Sequence, residues 1–148
     1  MATGTRMSWE EHAMSELAAA GLRKGGARRA VVETLARRNC AVTALEIEEQ
    51  LQQRGQGVGR ASVYRALEQL EQLGLVQRIE VARGTAGYER VELSGDHHHH
   101  AICRRCGRVV PFEDPALEQE IDRVSAQVHF HVSEHDVVLR GLCERCAS

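Results

Sequence analysis

Apolar residues recur at helical intervals through the first half of the chain and then give way to the patterning of strands. Ala13, Leu17 and Ala20 follow Ser8-Trp9-Glu10-Glu11, a capping-box spacing, and Gly21 marks the expected end of that helix. Ala30, Val31, Thr34 and Leu35 repeat on one face of a second helix over 27–38. Thr43-Ala44-Leu45-Glu46 is another capping box; it opens a third helix that carries Leu45, Ile47 and Leu51 and stops at Gly55. A fourth starts near Arg60 and runs through Val63, Leu67 and Leu70 to Gly74. Beyond Gly74, short strands are predicted at Leu75–Ala82 and Tyr88–Leu93, joined by the Gly-bracketed turn Arg83–Gly87. Three helices and a β-hairpin are the layout of a winged helix-turn-helix; a generic small helical domain with a hairpin is the competing reading.

Ser94–Asp96 reads as a hinge. After it, Arg108–Phe112 is a predicted strand and Asp114-Pro115 an N-cap with proline at the first helical position. A helix over 115–128 sets Leu117, Ile121, Val124 and Val128 on one face, and Asp136–Leu142 is a final strand. The expected class is α+β, with one domain over 1–93, a hinge over 94–96, and a small α/β domain over 97–148.

Composition sharpens this division. Aromatics are only 3% of the 148 residues, so each core must be built from aliphatic side chains, and small domains of that kind need a metal or a partner chain as a staple. Residues 1–94 hold 13 basic and 12 acidic side chains, whereas residues 95–148 hold 6 and 9. Seven of the eight histidines and four of the five cysteines fall after residue 95, which makes the second half the metal-ligand half. No apolar run approaches the roughly 18 residues of a membrane span. The opening MATGTRMSWEEH lacks the apolar core of a signal peptide, so the expected location is the cytoplasm and no membrane partner is expected.

Cys103-x2-Cys106 and Cys143-x2-Cys146, with 36 residues between the pairs, supply the four thiolates of a closed tetrahedral zinc site with no position left for a substrate. Two disulfides are the alternative, disfavoured in a reducing compartment. Cys40 stands apart and reads as a small buried residue. Just before the first cysteine pair lies His97-His98-His99-His100. In an extended strand alternate side chains face opposite ways, so His97 and His99 would feed one metal site, and His98 and His100 another. A solvated polar turn is the plainer reading.

Val58-Gly59-Arg60-Ala61-Ser62-Val63-Tyr64-Arg65-Ala66-Leu67, the segment His97–Cys106 and the terminal Cys-x2-Cys together resemble the ferric uptake regulator (Fur) superfamily of metal-dependent transcriptional repressors, over nearly the whole length. The resemblance implies a homodimer with an N-terminal DNA-binding domain and a C-terminal dimerisation domain, activated by a divalent metal to bind double-stranded operator DNA. It assigns structural zinc to Cys103, Cys106, Cys143 and Cys146, and a second metal site to His97, His99, Glu118 and His135. It assigns the regulatory metal, Fe(2+) or Zn(2+), to Glu89, His98 and His100.

This last site departs from the family pattern. Pro111 stands where a carboxylate is usual, Ala41 where a histidine is, and Val91 where zinc-sensing relatives carry a cysteine. His12, Cys40 and Glu113 are the candidates for a fourth ligand. Glu89 is the Fur-like choice and tilts the expectation toward iron. Peroxide sensing, tied in the family to an aspartate at the Pro111 position, is disfavoured.

The fourth helix is the expected recognition helix in the major groove, with Arg60, Ser62, Tyr64 and Arg65 on or near its first two turns. The resemblance gives the Tyr64 position thymine methyls and bases, the Arg65 position phosphate, and Arg23 a minor-groove contact. Arg23, Lys24, Arg28 and Arg29 form a cationic cluster nearby. Core packing for Tyr64 and a solvated helix face for Arg29, Arg37 and Arg38 are the plainer readings. Against a zinc enzyme, the chain lacks the deaminase pairing of His-x-Glu with Pro-Cys-x2-Cys, the HExxH motif and G-x-S-x-G. No small-molecule substrate is expected. A zinc-binding interaction module that does not touch DNA is the other alternative.

Overall fold

The computed structural model describes residues 6–22 and 25–148. The chain divides after Asp96 into two compact units.

In the first unit, α1 (Trp9–Ala19) starts at a capping box: the Glu11 N–H donates to Ser8 Oγ and the Ser8 N–H donates back to the Glu11 carboxylate. It buries Trp9, Ala13 and Leu17, one residue per turn, and Trp9 Nε1–H donates to the Leu75 carbonyl at 3.2 Å. α2 (Gly26–Ala36) buries Ala30, Val31, Val32, Thr34 and Leu35. α3 (Ala44–Gln53) has the same reciprocal cap between Thr43 and Glu46 and buries Ala44, Ile47 and Leu51. Leu45, expected on its core face, is 49% exposed, because the face that packs runs through 44, 47 and 51. α4 (Arg60–Gln72) buries Val63, Ala66, Leu67 and Leu70, a complete i, i+3, i+4, i+7 stripe. Each such aliphatic side chain contributes about 1.5–3 kcal/mol by leaving water.

The sheet of this unit is antiparallel, in the order β1 (Val42–Thr43), β3 (Thr85–Arg90), β2 (Val76–Ala82). The hairpin turn is tighter than the sequence led us to expect: β3 begins at Thr85, and only Arg83 and Gly84, the latter at φ +75°, lie between the strands. Gly87 belongs to the strand. A Cβ there would sit 2.6 Å from Val81 Cγ1 and 3.1 Å from the Ala41 Cβ, so the glycine marks a close approach of neighbouring strands rather than a turn. The two-residue β1 carries too little pattern to be visible in sequence. Helices α2 to α4 with this sheet form a winged helix-turn-helix.

In the second unit, β4 (His99–Cys103) is the central strand, antiparallel to β5 (Val109–Phe112) and parallel to β6 (Val138–Gly141). Asp114 caps α5 (Pro115–Gln127), its carboxylate accepting from the Ala116 and Leu117 N–H groups. A short α6 (Glu144–Ala147), not foreseen, closes the chain. His99, His100, Ile102 and Cys103 are buried, whereas no residue of α5 is. The apolar stripe expected to pack inward is thus covered only in part: Leu117 and Ile121 are half-buried, whereas Val124 is 46% and Val128 54% exposed. No described helix is long and apolar enough to cross a membrane.

Candidate metal centres and DNA-facing helix

The four cysteines of the second unit come from three places: Cys103 ends β4, Cys106 sits on the turn after it, and Cys143 and Cys146 flank the start and body of α6. Their sulfurs all lie within 4.8 Å of one another and none is in a disulfide. Cys106 Sγ and Cys143 Sγ are 3.7 Å apart. A Zn–S bond of about 2.3 Å gives a tetrahedron with an S···S edge of about 3.8 Å, whereas a disulfide needs about 2.05 Å. The cluster thus has the size of a metal site.

Its protonation says the same. The backbone N–H groups of Cys106 and Cys143 donate to Cys103 Sγ and bring that thiol down to about 5. Cys143 is also lowered, first by the Cys146 N–H. Cys146 is pushed up to about 12, chiefly by the neighbouring Cys143 sulfur. Four sulfurs this close cannot all ionise without a cation among them, and a zinc ion supplies that charge. Arg105 donates to the Cys146 carbonyl at 2.6 Å and ties the two cysteine turns together, a contact with no sequence signature.

A second group gathers His97, His99, Glu118 and His135, again with donor atoms within 4.8 Å. Glu118 lies in the first turn of α5 and His135 just before β6. Glu118 Oε1 is 2.6 Å from His99 Nε2, its Oε2 is 2.8 Å from His135 Nε2, and His97 Nε2 is 3.1 Å from His135 Nε2. Hydrogen bonding to His99, with the charges of His135 and His97 behind it, holds the Glu118 carboxyl below its ordinary range. One carboxylate and three imidazoles suit a borderline divalent cation such as zinc.

The other face of the histidine run behaves as the alternation predicts. His98 and His100 stack edge to face with ring centroids 4.8 Å apart, while His97 and His99 meet on the opposite side. Pro111 is the register partner of His100 on β5, so no carboxylate faces His100 from that position. In the first unit Glu89 is buried on β3 and accepts a hydrogen bond from Gln77 Nε2, its register partner on β2. Gln77 was not singled out from sequence, and only the hairpin register reveals it. The Cys40 sulfur and a Glu89 carboxylate oxygen lie within 4.8 Å of each other. Among the described residues, neither His12 nor Glu113 enters a group of three or more donor atoms this close.

On α4, Tyr64 is 44% exposed and Arg60, Ala61 and Arg65 share its open face, so the core-packing reading of Tyr64 fails. Arg60 pairs with Glu48 at 2.9 Å, and Arg65 Nη2 donates to Ser62 Oγ at 3.3 Å. Arg28 donates to Gln69 at 2.6 Å and so braces α2 against α4. Arg23, with Lys24, lies outside the described residues.

The profile of the Ferric uptake regulator family matches residues 19–140. The chain belongs to the ferric uptake regulator family. The Neisseria meningitidis ferric uptake regulation protein is 32% identical over 136 residues, covering 90% of this chain and 92% of that protein. Its Legionella pneumophila counterpart is 36% identical over 109 residues, covering 74% and 79%. The Vibrio cholerae ferric uptake regulator superposes with a TM-score of 0.78 at 31% identity, covering 87% of this chain and 98% of that one. The Helicobacter pylori Fur, whose structure is described as revealing three functional metal binding sites, gives a TM-score of 0.83 at 27% identity, covering 95% and 93%. Membership makes the chain a metal-responsive transcription regulator and not an enzyme. The four-thiol cluster is consistent with the structural zinc of a Fur-family fold.

Proposed function

We propose that this Fur-family regulator represses metal-homeostasis genes from the cytoplasm, binding operator DNA as a homodimer when a divalent cation is bound. Cys103, Cys106, Cys143 and Cys146 hold a structural zinc. His97, His99, Glu118 and His135 hold a second ion that steadies the second unit. Glu89, His98 and His100 take the regulatory ion, iron or zinc, whose binding biases a two-state equilibrium toward the DNA-binding form. The observation that carries this reading is the division of one histidine run between two donor sets of opposite face. Two complete donor groups gather within the second unit, and the Helicobacter pylori relative is described as having three functional metal binding sites.

Recognition of DNA falls to α4, whose exposed Tyr64 and Arg65 occupy the turns that reach bases and phosphates, with Arg60, Ser62, Arg28 and Arg23 in support. α2 and α4 both begin on glycine N-caps that make no side-chain cap, so their first N–H groups remain available to phosphate oxygens. Dimerisation is supported by the apolar side chains the second unit leaves open: Phe130 is 71% and Leu139 55% exposed, beside Val124, Val128 and Leu142.

The deciding experiment is a metal-titrated gel shift. His98→Ala with His100→Ala should abolish metal-dependent DNA binding, whereas His135→Ala should only weaken it. The opposite ranking would move the sensor to the His97/His99 face.

A further inference from the structure

We infer that Arg60 reads a guanine in the major groove and that Glu48, on the neighbouring helix α3, is the positioning residue that aims it. This inference rests on the reading of α4 as the recognition helix, and names a base and a residue that reading leaves open.

Arg60 is the first residue of α4, and the first turns of a recognition helix are the part that reaches base edges. Its side chain is 62% exposed, and Tyr64, four residues on, is open on the same strip of helix surface. Glu48 lies on α3, 12 positions earlier in the chain, and its side chain is only 13% exposed. A carboxylate packed so closely offers a fixed anchor. Arg60 Nε–H donates to Glu48 Oε2 at 2.9 Å. The nitrogen that makes this bond decides what the side chain can do next. Nε is the inner nitrogen of the guanidinium, so the bond does not use the two terminal Nη groups. Those two form the end-on fork that matches O6 and N7 of guanine, the commonest specific contact of arginine with DNA. A long side chain already held in place also loses less conformational freedom when DNA arrives.

Other arginines of the first unit are held differently. Arg65 donates through Nη2, to Ser62 Oγ, and so occupies part of its fork within its own helix. Arg29 pairs with Glu33 on its own helix at i, i+4, the ordinary pattern of a solvated face. The Arg60 pair crosses from one helix to the next and anchors on a largely buried carboxylate.

The same pairing argues against a phosphate role for Arg60. A phosphate contact draws on uncompensated positive charge and releases counterions. With the Glu48 carboxylate at 2.9 Å the pair is close to neutral, and the carboxylate repels a phosphate that approaches it. Stability does not account for the pair either, since an ion pair with so exposed an arginine contributes little to it. Base reading is the role that survives, because it depends on the direction of the donors rather than on net charge.

The test selects duplexes from a pool with a randomised core, using the full-length protein with zinc(II) or iron(II) supplied in parallel, and sequences the bound fraction. The wild-type chain should enrich a motif holding a G·C pair favoured about tenfold or more over the other base pairs. Arg60→Ala should lose that one preference and keep the rest of the motif, with the salt dependence of binding nearly unchanged. Glu48→Ala should lose it too although Arg60 is present. Its binding to random DNA should become tighter and more salt-dependent, because the released arginine turns to phosphate. Glu48→Gln, whose amide oxygen can still accept from Nε, should retain the preference. An unaltered motif in Arg60→Ala would overturn the guanine contact. A full preference in Glu48→Ala, or its loss in Glu48→Gln, would overturn the aiming by Glu48. No enrichment by the wild type, or a motif that Tyr64→Ala and Arg65→Ala leave untouched, would instead overturn the recognition-helix reading itself.

Discussion

Cys106 Sγ lies 3.7 Å from Cys143 Sγ although the two residues are 37 positions apart in the chain. The turn after β4 and the start of α6 are thus joined at one point, in a unit whose buried residues are few. Cys143→Ser should remove about one zinc per chain and cost the second unit its cooperative melting transition, since a structural zinc contributes on the order of 10 kcal/mol. Metal analysis and calorimetry check this; an unchanged zinc content would exclude the cluster as the site.

Proton release on zinc uptake should follow the thiols. Cys103, brought down to about 5, is already ionised at pH 7, whereas Cys146, pushed up to about 12, still carries its proton. Filling the cluster at pH 7 should therefore release at least one proton but fewer than one per cysteine. Titration calorimetry in buffers of different ionisation enthalpy measures the number. The depressed Cys103 contributes stability to the metal-free fold that is present above the ordinary thiol range and lost as pH falls through about 5. The raised Cys146 contributes in the opposite sense, losing its share as pH climbs toward 12. Acid should weaken zinc binding, because protons then compete with the cation for the thiolates.

Tyr64 is exposed on α4 between buried Val63 and Ala66, so truncating it leaves the core intact. Tyr64→Ala should weaken operator binding by about 1–3 kcal/mol and relax base preference. Arg65→Ala should weaken binding to all sequences alike and lower the salt slope by about 1. Fluorescence anisotropy at several salt concentrations separates the two, and neither variant should change metal content. Normal binding by both would relocate the recognition surface.

Phe130 is 71% exposed and stands just beyond α5, and Val124 on that helix and Val128 at its C-cap are also open. Phe130→Asp combined with Val128→Asp should convert dimers to monomers, as each buried side chain contributes about 1.5–3 kcal/mol. Sedimentation at micromolar protein reads the outcome. A dimer that persists would place the interface on another face.

Local features were legible because their physics is local. The capping pairs Ser8/Glu11 and Thr43/Glu46 and the Asp114 cap each act within a few residues, and the structure has all three. The opposite facing of His97/His99 and His98/His100 follows from the pleat of an extended chain, and the ring contacts obey it. Cysteine spacing announced a cluster because two tight turns are the cheapest way to bring four sulfurs together.

What tertiary structure alone decided are relationships that no window of sequence contains. Gly87 looked like a turn residue until Val81 and Ala41 were found against it. Leu45 matched the helical period but sits on the wrong side of a narrow buried face, because propensity does not say which neighbour a helix will meet. The α5 stripe has the pattern of a packed face, yet only Leu117 and Ile121 are half-covered while Val124 and Val128 stay open, since periodicity marks amphipathicity and not the source of the partner. Gln77 and Cys40 reach Glu89 through the register of β2, β3 and β1, and that register depends on which strands pair, a property of the folded sheet.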